Sequence, residues 1–201
     1  MSYSDFTLKK VTSDFQLTVV EDKGIFSKIE EVEISQHLAT TLEENVPLAI
    51  AINTEKARSE LIIANILIEI RKMFERKISF FSGIEFEVDK TRNLSGYCDF
   101  IVSLSPEQLF LSAPVIAIVE AKNENIMSGL GQCVAEMVAA KAYNEREGNN
   151  VPKVYGAVTS GNIWKFIKLE NTTVHIDLQD YSIDNAGKIL GIMSAMVKQA
   201  A

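Results

Sequence analysis

The sequence predicts an α/β domain, a mixed β-sheet flanked by helices. Three observations carry that expectation. Residues 53–77 form a long helical run free of Gly and Pro; three strand-like runs follow between residues 77 and 122; a second helical run over 125–148 then leads into further strand-like segments. With 201 residues, 47% of them hydrophobic and 23% charged, the chain suits one ordinary globular domain with a real core. We divide it into an N-terminal extension, 1–52, packed on the same domain, and a main unit, 53–201.

Taken in order, residues 6–34 hold short alternating pieces such as Phe15–Val20, with a turn at Glu21–Gly24, and read as strands. Ser35 is placed to cap a helix running to about Asn45. The run from Asn53 to Lys77 opens with Asn53 or Thr54 as N-cap and Glu55 in its first turn, where negative charge is favoured. Residues 61–70 are apolar nearly all round, so this helix is expected to pack on more than one side. Arg71, Lys72, Arg76 and Lys77 near its end are read either as cations favoured by the helix macrodipole or as a local basic edge.

Strand-like runs at 77–90, 95–104 and 114–122 are separated by turn-rich Thr91–Gly96 and Leu104–Ala113. The helical run after them stops near Gly148. Segments 153–161, 162–170 and 172–180 read as strands and 185–201 as a helix.

Charge and composition narrow the functional classes. A net charge of −7 argues against broad nonspecific attraction to nucleic acid, so such a substrate would need a local basic groove. The longest apolar runs are short of a membrane span, and no basic start followed by an apolar block appears in the first thirty residues; a cytoplasmic protein without membrane contact is expected. Two cysteines and two histidines, far apart, give no zinc-type spacing, so the ligands of any bound metal would be oxygens.

The chemistry is sought where an apolar strand ends on charge, at Val115–Glu124. Alternation puts Ile116, Ile118, Glu120 and Lys122 on one face. Asp99 opens another apolar run 21 residues earlier, and antiparallel pairing of the two strands would bring Asp99 beside Glu120. Two close carboxylates repel unless one is protonated or a cation intervenes; a hard divalent ion such as Mg²⁺ or Mn²⁺ suits them. The alternative is that both strand ends surface into water, with Glu120 and Lys122 as a surface ion pair and Asp99 capping a turn.

Together, Glu60 on the long helix, Asp99 in GYCDFIV, Glu120-Ala121-Lys122 ending VIAIVEAK, and Gln132 on the next helix resemble the PD-(D/E)XK nuclease superfamily, the fold of many restriction endonucleases. The likeness covers roughly residues 53–168. It implies a restriction-endonuclease-like α-β-β-β-α-β core and a nuclease that uses Mg²⁺ or Mn²⁺ to hydrolyse phosphodiester bonds, of DNA first. It further implies that Asp99, Glu120 and the Ala121 carbonyl hold the metal, that Lys122 is the catalytic lysine, that Glu60 completes the acidic cluster, and that Gln132 supports the site. The implied partners are nucleic acid and either a second copy of the chain, as a homodimer, or a partner protein supplying specificity. A nuclease fold that has lost turnover and serves as a binding or assembly module is the other expectation.

The sequence departs from the family pattern twice: Cys98 stands where the motif has proline, and Glu136 where the RecB-type branch has tyrosine. Plainer readings stay open for several residues. Glu60 could pair with Lys56 on an exposed helix face, and Gln132 and Glu136 could form a polar stripe. Trp164 and Phe166, interleaved with Lys165 and Lys168, suit either core packing or base stacking, and Gly129–Gln132 matches no phosphate-binding glycine fingerprint.

Overall fold

The computed structural model describes residues 2–200. After a 3₁₀ turn at Tyr3–Asp5 come helix α1 (Leu8–Asp14), strand β1 (Thr18–Asp22) and helix α2 (Gln36–Ile52). A continuous helical run follows, made of α3 (Glu55–Arg58), a π-helical turn (Ser59–Ile63) and α4 (Ala64–Met73). Next are β2 (Ser79–Glu85), β3 (Tyr97–Ser103), β4 (Val115–Ala121), α5 (Leu130–Arg146), β5 (Lys153–Thr159), β6 (Ile163–Glu170), β7 (Thr173–Asp177), the short β8 (Tyr181–Ser182) and α6 (Ala186–Ala200).

These make an α/β fold on one mixed eight-stranded sheet in the order β1-β7-β6-β5-β4-β3-β2, with β8 pairing β6. The β2/β3/β4 and β5/β6/β7 neighbours are antiparallel, while β4/β5 and β1/β7 are parallel. A parallel neighbour requires a crossover, and α5 supplies it between β4 and β5. It packs on one face with Ile118, Val134 and Met137 in its layer; Ile66, Val119, Phe166 and Ile189 belong to the layer on the other face, formed with α4 and α6. With both faces covered, all seven residues of β4 are buried, as its unbroken apolar run requires.

The N-terminal region differs from the strands expected there. Residues 8–14 are helical: Thr7 caps α1 by accepting from the Lys10 amide at 3.2 Å, and Val11 is fully buried against α5. One buried residue in two turns leaves no periodic signal, so alternation nearby dominated the reading. The expected strand near Val19 does form, as β1, and lies parallel to β7 at the sheet edge. Helix α2 starts at its Ser35 cap but passes Asn45 and Pro47 to end at Ile52, where Asn53 turns left-handed (φ 52°). The long helix ends at Met73, short of Lys77, because Glu75 and Arg76 both take positive φ.

In β4 the expected stripe is broken at one place. Val102 pairs with Ala117 but Ser103 with Val115, so Ile116 is an extra residue that turns to the α4/α6 layer, and only from Ile118 onward does alternation face α5. The bulge leaves Glu120 and Lys122 on the α5 side.

Gly131 sets how closely the N-terminal segment lies on α5. A Cβ there would come within 2.3 Å of the Phe6 carbonyl oxygen and 2.4 Å of the Thr7 carbonyl carbon, both backbone atoms. Gly131→Ala is therefore expected to destabilise the fold by about 1–3 kcal/mol through forced displacement. Urea denaturation checks this, and an unchanged midpoint would mean that residues 6–8 do not rest on the helix.

Candidate active site

The antiparallel β3/β4 register pairs Phe100 with Val119, and continued by one residue it sets Asp99 opposite Glu120. A hydrogen bond locks the arrangement, with the Ala121 amide donating to Asp99 Oδ2 at 2.8 Å. Glu120 is 1% exposed, accepts from Lys122 Nζ at 2.5 Å through Oε1, and leaves Oε2 without a partner. It is therefore far from a strand surfacing into solvent. Burial and the repulsion of Asp99 push its carboxyl up to about 8, against the pull of Lys122.

Lys122 is held from two directions. Its amide donates to the Thr159 carbonyl at 2.8 Å, extending the β4/β5 pairing by a residue, and its Nζ donates to Gln132 Oε1 at 3.4 Å. Burial alone would lower its pKa, but Glu120 beside it, with Glu55 and Asp99 further off, leaves it above the usual lysine value and protonated. Gly129 makes room for its stem: a Cβ there would sit 2.7 Å from Val158 Cγ1 and 3.0 Å from Lys122 Cε. The two glycines of GLGQ thus have packing duties, one toward the lysine and one toward residues 6–8.

Gln132 relays the network to Glu136, donating from Nε2 to Oε1 at 3.0 Å. Glu136 is fully buried, its other oxygen has no partner, and burial together with Glu120 raises its pKa well above normal. Glu136 therefore belongs to no stripe facing water, while Gln132 beside it is half-buried. The sequence reading had Glu136 as a departure from a pattern and, one turn from Gln132, as part of a polar stripe; the signal for burial was its place as a single acid inside CVAEMVAA.

Glu60 is not brought to the cluster. Its carboxylate pairs with Lys56 at 2.9 Å and both side chains are exposed. The buried stripe runs through Arg58, Ile62, Ile63, Ile66 and Leu67, and Glu60, two residues from both Arg58 and Ile62, stands roughly 200° round the helix from it and faces outward. Trp164 and Phe166 are fully buried core residues, with the indole N–H donating to the Gly161 carbonyl at 2.9 Å, and Lys165 is spent on Asp180 at 2.6 Å. No base-stacking surface exists at these residues.

A second unforeseen residue is Arg58, 7% exposed. It donates to Asn123 Oδ1 (3.2 Å), the Ser160 carbonyl (2.9 Å), Asn162 Oδ1 (3.1 Å) and Asn53 Oδ1 (3.0 Å). Those bonds tie the start of the long helix to the exits of β4 and β5, one residue beyond Lys122.

The site thus offers two adjacent carboxylates, a lysine bound to one of them, and a buried amide-to-carboxyl relay. Among the described residues no three His, Cys, Asp or Glu side chains are grouped as metal ligands. The same residues include no helix long and apolar enough to cross a membrane. Comparison with protein-family models, curated proteins and solved structures finds no match.

The raised carboxyls predict a pH-dependent stability. Glu120 and Glu136 are protonated in the folded chain at pH values where the unfolded chain has ionised them, so folding takes up protons and raising the pH favours unfolding. Stability should fall from the normal carboxylate range upward, with the Glu120 part complete near pH 8. Denaturant titrations in EDTA should show this decline, reduced in Glu120→Gln and in Glu136→Gln. A flat profile in the unmodified protein would contradict the burial of these acids as neutral groups.

Proposed function

We propose that this protein is a divalent-metal-dependent nuclease, DNA being the first substrate to test. The observation that carries the reading is the unpartnered Glu120 Oε2, sealed from water opposite Asp99 and beside Lys122. A buried carboxylate oxygen with no donor is costly unless a proton or a cation meets it; a proton does so in the free chain, and a bound cation would displace it. The succession α4-β2-β3-β4-α5-β5, with β4 and β5 parallel across α5, supports a restriction-endonuclease-like core around these residues.

The donor set suits Mg²⁺ or Mn²⁺. Mg²⁺ is commonly bound through one or two carboxylates and keeps several waters, so Asp99 and Glu120, with the Ala121 carbonyl, suffice without a third acid. When bound, the ion would supply positive charge to the phosphate and acidify a water. Lys122 then contributes a second positive charge at the phosphoryl oxygens, where it stabilises the charge of the transition state more than that of the bound substrate. Gln132 and Gly129 hold Lys122 in place, and Glu136 keeps Gln132 oriented by accepting its amide proton. Water adds to phosphorus, the bond to the leaving sugar oxygen breaks, and that oxygen takes up a proton.

Two observations favour the other reading, a catalytically inactive binding or assembly module acting with a partner protein: Lys122 already occupies Glu120 Oε1, and the third acid expected from Glu60 lies elsewhere. Cleavage assays separate the two. Labelled single-stranded DNA, duplex DNA and RNA are incubated with Mg²⁺ or Mn²⁺, and Lys122→Ala is expected to lose about 10²-fold or more in rate. Equal rates in the two proteins would remove Lys122 from the mechanism. Mn²⁺ should also raise the melting temperature of the unmodified chain and not that of Glu120→Gln, since a ligand of the native state alone stabilises it.

A further inference from the structure

Beside Gln132 lies a cavity of about 250 Å³ whose wall is built by Ser2, Tyr3, Ser4, Gly96, Tyr97 and Gln132. We propose that it receives the nucleobase next to the phosphate that is cut, an inference that rests on the nuclease reading. Three features identify the occupant as small, neutral, polar and planar. Among the described residues no charged side chain lines the cavity, which favours a neutral ligand over an anion or a cation. Its volume falls just under the ~300–1,000 Å³ of sites for drug-sized ligands, enough for one small ring system. Tyr97 stands at its edge with 68% of its surface exposed, an aromatic face that the core does not use and that every base can stack on.

Polar recognition comes from Gln132. Its Oε1 accepts from Lys122 and one Nε2–H serves Glu136, which leaves the second N–H and a carbonyl lone pair for the edge of a base. The Ser2 and Ser4 hydroxyls, 2.8 Å apart, add adaptable donors and acceptors. Because Gln132 also touches the lysine, a base held here places its own phosphate at the Asp99–Glu120–Lys122 cluster.

The wall is preformed. Tyr3 is 1% exposed, its hydroxyl donates to the Phe86 carbonyl at 2.8 Å and its amide to the Ser95 carbonyl at 3.2 Å. Gly96 admits the Tyr3 ring, which would lie 3.0 Å from a Cβ at that position. The N-terminal segment is thereby a side of the site rather than an appendage.

The test is an NMR titration of the full chain with deoxynucleoside 5′-monophosphates and, as the base-free probe, 2-deoxyribose 5-phosphate. Nucleotides should shift the amides of Ser4 and Tyr97 and the side-chain amide of Gln132, while the sugar phosphate leaves them in place. Tyr97→Ala should weaken the nucleotide response about tenfold, Tyr97→Phe should preserve it, and both should keep the melting temperature because the ring is exposed. Equal responses to the sugar phosphate, or none at these amides, overturn the pocket. Base-dependent shifts in a chain that cuts no nucleic acid support the pocket and count against the nuclease; cleavage without such shifts does the reverse.

Discussion

Two carboxyl groups facing each other at the ends of neighbouring strands, one of them sealed from water, set a condition that the surrounding residues must satisfy. Ionising both without a counter-charge is unfavourable in a medium that screens poorly. The protein answers with one cation, Lys122, hydrogen-bonded to Glu120, and with the backbone amide of Ala121 donated to Asp99. Even so, Glu120 keeps an oxygen without a donor and a pKa near 8, and Glu136 adds a second neutral acid behind Gln132. Stability alone does not favour this set, since apolar residues of similar shape would avoid the desolvation of four polar groups. An arrangement that spends stability in one place and leaves a buried acceptor open is a reason to look for function there.

The Asp99–Glu120 pairing was legible because it depends on two robust signals, strand alternation and the antiparallel return of consecutive strands. Neither needs an exact boundary. Both survive the extra residue at Ile116, since the bulge precedes the charged end of β4. The place expected for Glu60 came instead from the family resemblance alone; helical spacing had also set it four residues from Lys56, and that exposed pair is what forms. Helix α1 was illegible because its seven residues bury only Val11.

Other parts of the site were unreadable because their roles are spatial. Gly129 and Gly131 match no ligand-binding fingerprint, and their use appears only when Lys122 and the backbone of residues 6–8 are seen against the same helix. Arg58 carries no local pattern either, as its four acceptors come from chain positions as distant as Asn53 and Asn162. Trp164 shows the opposite case. Alternation left core and stacking surface both open, and two flanking layers of helices settle it in favour of the core.

Arg58 also completes the electrostatic argument. It is a buried cation whose hydrogen-bond partners are all neutral oxygens, with no carboxylate in ion-pair contact among the described residues. Were its charge a structural device only, an adjacent acid would be the cheaper companion, because an unpaired buried charge is costly. Neutral acceptors instead hold the guanidinium in place without cancelling its field. That field acts from the helix side on the exit of β4, one residue past Lys122. Asp99, Glu55 and Glu124 stand close to the same two cations, so the fold sets a pair of fixed positive groups among acids at the exit of β4 rather than a basic surface.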